Sequence, residues 1–195
     1  MDAQLRELLE ELHDYGVEHD ADKADRLDRL RNLEPASAQL LAVLARATGV
    51  RSVLELGTSN GYSTVWLADA VRATGGRLTT IEIDGTRSAM AAANLERAGL
   101  RNFVDLCVQD AGEALRSSND DQWDLIFLDA ERPAYVDYWS DLQRVLRPGG
   151  LLTVDNVLSH ADELGAFRTL VSTTPGVYEA LAPTGSGVLL VVKAA

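Results

Sequence analysis

At 195 residues, 46% hydrophobic and 25% charged, the chain suits one globular domain that needs no disulfide or metal staple to hold its core. Its 18 basic and 30 acidic residues leave a formal charge of -12, which repels phosphate backbones and anionic lipid and argues against nucleic-acid and membrane partners. The lone Cys107 excludes an internal disulfide, and no stretch reaches the roughly 18 apolar residues of a membrane helix.

Met1 to Glu11 is acidic and amphipathic, without the basic-then-apolar layout of a secretory signal, so the cytoplasm is the expected compartment. Residues 1–34 carry eleven acids and five bases, which concentrates -6 in that stretch. Leu5, Leu8, Leu9 and Leu12 have helical spacing, with Tyr15-Gly16 read as a break. Asp22 to Leu33 reads as a second, charged helical piece with Leu27 and Leu30 on its apolar side, and Glu18 to Asp28 as a solvated face. His13 and His19 fall in this charged leader, where solvated histidines are expected. Pro35 suits the first turn of a helix carrying Leu40, Leu41, Leu44 and Ala47, with Gly49 as its stop.

From there the pattern becomes regular. Apolar runs begin near Val53, Leu78, Phe103, Leu125 and Leu151, each followed by a segment of helical periodicity. The clearest helical stripe is Tyr135, Tyr138, Trp139, Leu142, Val145 and Leu146. Strands alternating with helices predict an α/β fold, a parallel sheet with right-handed crossovers and helices on both faces. Val177–Leu181 and Val188–Val192 have no room for a helix between them and predict a C-terminal antiparallel hairpin. Cys107 stands in the third apolar run, where a buried, inert thiol is expected. Trp66 and Trp139 fall on apolar helix faces, while Trp123 precedes a strand and fits either core or site.

Ligands of open α/β sheets bind beyond the carboxyl ends of the strands. The first strand is followed by Glu55-Leu56-Gly57-Thr58-Ser59-Asn60-Gly61-Tyr62-Ser63, in which Gly57 and Gly61 permit a tight turn and close backbone approach. This is not GxGxxG, and the acid before it suits a ligand carrying positive charge better than a diphosphate. The second strand ends in Glu82, placed to accept both ribose hydroxyls of a nucleoside, with Asp84 as a helix cap. Asp110-Ala111 after the third strand fits either an adenine contact or another cap. Asp129 ends the fourth strand and Asp155-Asn156 the fifth. Two carboxylates and an amide oxygen on adjacent strands make a hard oxygen site suited to Mg²⁺.

ELGTSNGYSTVWLADA, TTIEID, WDLIFLDAERPAYVDYW and LRPGGLLTVDNVLSH, in that order, resemble the class I S-adenosylmethionine-dependent methyltransferases. More narrowly, they are similar to the cation-dependent O-methyltransferases of the catechol and caffeoyl-CoA type. The resemblance runs from about Pro35 to the C-terminus and implies a Rossmann-like methyltransferase fold, five parallel strands closed by the hairpin. Residues 35–195 are thus expected to form the methyltransferase domain, while residues 1–34, which match none of these motifs, are expected to form a helical acidic leader acting as a dimer or lid element. By position it sets Gly57 and its loop (Thr58, Ser59, Gly61), with Glu55 and Ser63, around the methionine part of S-adenosylmethionine. Glu82 would hold the ribose, and Asp110 and Ala111 would lie against adenine. Asp129, Asp155 and Asn156 would bind the divalent cation, with Asp129 also near the methyl donor.

One position departs from the family. Three residues past the metal-binding aspartate, where the family places a lysine thought to act as general base, stands Arg132. Arginine does not deprotonate in a protein. Three alternatives stay open: water takes the proton while Arg132 steadies the phenolate, His160 acts as the base, or the usual reaction does not occur. An exposed, uninvolved His160 is the plainer reading. The leading expectation is methyl transfer to a hydroxyl of a small, catechol-like aromatic acceptor. Its rivals are a cofactor-binding protein without turnover and a metal-independent methyltransferase. The leucine face of residues 5–12 needs cover from the chain's own helices or from a second copy, and the resemblance favours a homodimer.

Overall fold

β-branched and leucine-rich runs alternating with amphipathic segments form seven strands and seven helices, and the computed structural model describes residues 1–195. The strands are β1 (Ser52–Leu56), β2 (Arg77–Glu82), β3 (Val104–Val108), β4 (Trp123–Leu128), β5 (Leu146–Val154), β6 (Val177–Ala182) and β7 (Val188–Lys193). They form one sheet in the order β3-β2-β1-β4-β5-β7-β6. β1 to β5 pair in parallel, while β7 lies antiparallel between β5 and β6. The five parallel strands and the hairpin are as expected. The chain winds outward from β1 in both directions, so the β1–β4 boundary is the switch point at which such sheets bind ligands.

The period-two alternation of each strand separates two cores. In β4, Leu125 and Phe127 face α1 (Ala3–Ala21), α2 (Pro35–Ala47), α3 (Tyr62–Thr74) and α4 (Gly85–Arg97). Ile126 and Leu128 face α5 (Ala111–Ser117), α6 (Tyr135–Val145) and α7 (Ala161–Thr173). Trp139 meets Phe167 edge-on in that second core, and Trp123 is buried there, its indole N–H donating to Ser118. Trp66 packs partly buried on the first core. α2 presents Ser37, Ala38, Leu41, Ala42 and Ala45, so small side chains rather than the expected leucine stripe allow its close approach to α3. Leu40 and Leu44 are only half-buried, and Ala47 is exposed.

Several other expectations are corrected. α1 runs straight through Tyr15-Gly16, because a glycine inside a helix is tolerated where a side chain has no room. A Cβ on Gly16 would stand 2.3 Å from Asn32 Nδ2, which donates to the Leu12 carbonyl. Asp22 to Leu33 is not a helix beyond one short 3-10 turn, Arg26–Asp28. The Asp20 carboxylate takes the amides of Leu30 and Arg31 at 2.7 and 2.8 Å, a local arrangement that competes with helical hydrogen bonding. Leu30 is buried and Leu27 exposed, so they share no apolar side. His13 and His19 are half-buried rather than solvated, and Cys107 is half-buried on the outer strand β3. β5 starts at Leu146, ahead of the expected Leu151, with an irregularity between Trp123 and Leu125 of its partner. No helix is long and apolar enough to cross a membrane.

Leu5, Leu8, Leu9 and Leu12 join the first core beside α2 and α3. Of the two covers considered for the leucine face, the chain itself supplies one. The leader shares the core of the rest. Leu9, 2% exposed, is therefore a core residue of the whole chain, and Leu9→Ala is expected to cost about 3 kcal/mol. Chemical denaturation checks this: one destabilised transition is expected, and an early leader transition beside an unshifted main one would contradict it.

Candidate active site

The strand ends stand level across the sheet. Leu56 pairs with Ile81 on one side and Leu128 on the other, and Leu128 pairs with Val154. Backbone hydrogen bonds continue one residue further, from Gly57 to Ile81, Asp129 to Leu56 and Asp155 to Leu128. The next side chains therefore emerge along one edge, above a cavity of about 570 Å³.

On one side of this cavity the β1–α3 loop bends tightly. Gly57 has φ +103°, and a Cβ there would lie 2.3 Å from the Asp129 carbonyl. Glu82 fixes the loop from the next strand. Its Oε2 accepts the amides of Ser59 at 2.8 Å and Thr58 at 3.3 Å, and its Oε1 accepts the amide of Asp84. Asp110 caps α5 by accepting from Glu113 N and also lines the cavity, so the two readings of that residue are compatible.

On the other side, Asp129 and Asp155 face the cavity together. Burial, with the Asp155 charge added to it, raises the Asp129 carboxyl well above the usual carboxylate range. Burial raises Asp155 to about 6. Asp155 Oδ1 is buried without a hydrogen-bond partner, while Asn156 directs its amide at Asp129 from a left-handed backbone, φ +66°. Asn156 Oδ1 accepts from Ser159 at 3.3 Å, so the two under-coordinated carboxylates are what fit a small divalent cation, and the amide oxygen joins them only by turning inwards. The structure contains no cluster of three or more His, Cys, Asp and Glu side chains, and the site rests on two carboxylates and an amide.

Arg132 also lines the cavity, 6% exposed, and forms a two-point pair with Glu163: Nε to Oε2 at 2.9 Å and Nη2 to Oε1 at 3.4 Å. His160 is half-buried on the cavity wall with its ring against Ser159, not fully exposed. Burial and the Arg132 charge lower its pKa, so its imidazole is neutral near pH 7.

A profile of the O-methyltransferase family matches residues 1–166. The chain belongs to this O-methyltransferase family. It is 37% identical over 130 residues to a catechol O-methyltransferase of Niastella koreensis, covering 65% of this chain and 58% of that protein. It is 36% identical over 143 residues to a catechol O-methyltransferase of Mycobacterium tuberculosis, covering 68% of this chain and 64% of that one. The chain thus spans about three fifths of the length of these relatives. Its fold superposes on an O-methyltransferase of Bacillus cereus in complex with SAH, TM-score 0.80, 26% identity, covering 99% of this chain and 91% of the other. It also superposes on one from Streptomyces achromogenes in complex with SAM, TM-score 0.78, 26% identity, covering 100% and 91%. The family profile begins at residue 1, so the leader lies within the matched unit.

Within this family member, the cavity brings together Gly57, Thr58, Ser59, Ser63, Glu82, Asp110 and Ala111 with Asp129, Arg132, Asp155, Asn156 and His160. Two expected cofactor residues are not on its wall. Gly61 turns away, a Cβ there meeting Ala91 of α4 at 3.0 Å. Glu55 lies beneath the loop, wholly buried, and accepts from Ser63, Thr64 and Thr80, each at 2.6 Å. It acts on the cavity through Ser63. The sequence reading missed the roof. Arg26 and Arg31 of the leader reach Glu131 at 2.6 and 3.0 Å, and Ser59 Oγ donates to the Leu30 carbonyl. The only sequence signal was four arginines within an otherwise acidic leader.

Burial raises the Glu55 carboxyl from 4.5 to about 7, its three hydroxyl donors opposing the shift only in part. A carboxyl raised in the folded state contributes stability that is full below pH 4.5 and lost as pH rises through about 7. Glu55→Gln is expected to remove that component, on the order of 3 kcal/mol across the window. Denaturant melts of both proteins at several pH values test it, and parallel pH profiles would contradict it.

Proposed function

We propose that the chain transfers a methyl group from S-adenosylmethionine to a hydroxyl oxygen of a small, catechol-like aromatic acceptor, with a divalent cation, Mg²⁺ by its donor set, at Asp129, Asp155 and Asn156. One juxtaposition carries this reading. The glycine loop with its Glu82 brace and the under-coordinated Asp129–Asp155 pair open into the same cavity. The catechol O-methyltransferase relatives and the SAM- and SAH-bound neighbours support it.

Bound S-adenosylmethionine supplies a methyl group on a positively charged sulfur, and the cation supplies a Lewis-acid charge that favours an ionised acceptor oxygen. The chain's own residues do the rest. Gly57, Ser59 and Ser63 bound the methionine end of the cofactor, Glu82 the ribose, and Asp110 and Ala111 the adenine. Asp129 and Asp155 would hold the cation, and the acceptor would be oriented between them and the glycine loop. Arg132 keeps its charge at every working pH and steadies the anionic oxygen without taking a proton. His160, neutral and on the cavity wall, is the residue able to accept the acceptor's proton at its imidazole nitrogen.

The arginine favours one rival, a cofactor-binding protein without turnover. Incubation with labelled S-adenosylmethionine, Mg²⁺ and a panel of catechols separates the two. Methylated catechol is expected with Mg²⁺ and none with excess chelator. Transfer undiminished by chelator would overturn the cation, and cofactor binding with no product from any catechol would favour the rival. Asp155→Ala is expected to lower transfer roughly 100-fold or more while S-adenosylmethionine affinity by calorimetry stays nearly unchanged, because the cofactor residues are untouched.

A further inference from the structure

Arg132 opens a short turn after β4, and Glu163 stands in the first turn of α7, where an acid is favoured by the helix N-terminus alone. Its side chain nevertheless turns to Arg132. Their two hydrogen bonds use Nε and Nη2, the fork by which a carboxylate fixes the plane of a guanidinium. This leaves Nη1 uncommitted. Arg132 is 6% exposed whereas Glu163 is 41% exposed, so the arginine sits inside the site and the glutamate holds it from the rim. Arg132 lines the same cavity as Asp129 and Asp155 at the edge of the sheet.

We infer that Glu163 is a positioning residue: it clamps the guanidinium of Arg132 over the acceptor end of the cavity, so that a fixed cation stands at the acceptor oxygen. The inference rests on the proposed acceptor reading and adds the residue that holds Arg132 in place at the cavity. Glu131 precedes Arg132 and already accepts from Arg26 and Arg31 of the leader, and Arg26 also approaches Glu163 at 3.6 Å. Arg132 pairs with no acid but Glu163, so without it nothing fixes the direction of the guanidinium.

The sign of one measurement separates clamping from simple charge. Asp129 and Asp155 from the sheet and Glu34 and Glu131 beside it oppose an anion in this cavity. Arg26 and Arg31 from the roof favour it, and His160 is neutral. Removing the Glu163 charge, with nothing else moved, makes a bound phenol more acidic. Releasing Arg132 makes it less acidic. 4-Nitrocatechol, whose phenolate absorbs visible light, reads the difference without turnover when bound with Mg²⁺ and S-adenosylhomocysteine.

In Glu163→Ala the bound probe is expected to ionise roughly tenfold less readily than in the natural protein, the effect of withdrawing one nearby opposite charge. Glu163→Gln, which keeps one acceptor oxygen and the side-chain length, is expected to fall between the two. In an Arg132→Ala background, Glu163→Ala is expected to shift the ionisation the other way. S-adenosylhomocysteine affinity and melting temperature, measured on each variant, identify any that fails to fold. Ionisation unchanged or enhanced in a folded Glu163→Ala, or the same shift with and without Arg132, would overturn the clamp and leave the acceptor reading standing. A natural protein that binds S-adenosylhomocysteine but no nitrocatechol would overturn the acceptor reading and the clamp with it.

Discussion

Asp155 is buried and Asp129 half-buried on neighbouring strands, desolvation raises both carboxyls, and one Asp155 oxygen has no partner at all. A chain does not keep two neighbouring carboxylates out of water without something to balance them. The level register of β1, β4 and β5 enforces their proximity, since each aspartate follows the last paired residue of its strand. The same register sets Gly57 against the Asp129 carbonyl so closely that no side chain fits between them. The loop for one ligand and the acids for another thus share a backbone contact. That contact makes the site a single object.

Around the acids the chain arranges compensating charge. Arg132 is held from α7, and Arg26 and Arg31 arrive from the leader to close the roof through Glu131. A protein of net charge -12 therefore gathers arginines where its buried acids lie. The leader is part of the same folded unit as the cavity, because its leucines sit in the main core while the loop that follows them lines the cavity. Asp20, by taking the amides of Leu30 and Arg31, converts a segment of helical composition into that loop.

Most of the fold was legible because strand and helix periods alternate cleanly after Val50, and because residues that follow strand ends are fixed by the sheet. Glu82, Asp129 and Asp155 could be named from sequence for that reason. The leader could not be read in the same way. Its charge pattern suits a helix, and only a tertiary contact decides otherwise. Glu55 was drawn into the site because position along a strand does not say whether a side chain ends above the loop or beneath it. Glu163 had no signal at all, since an acid in the first turn of a helix is ordinary. Arg132 was visible as a departure, but its partner was not.

A divalent cation at Asp129 and Asp155, as proposed, would displace protons from carboxyls that desolvation raises. Calorimetric titration of Mg²⁺ at pH 6, repeated in buffers of different ionisation enthalpy, tests it most directly. Binding with proton release, seen as a buffer-dependent heat, is expected, together with its loss in Asp155→Ala. Absence of Mg²⁺ binding, or binding of equal strength in Asp155→Ala, would contradict it.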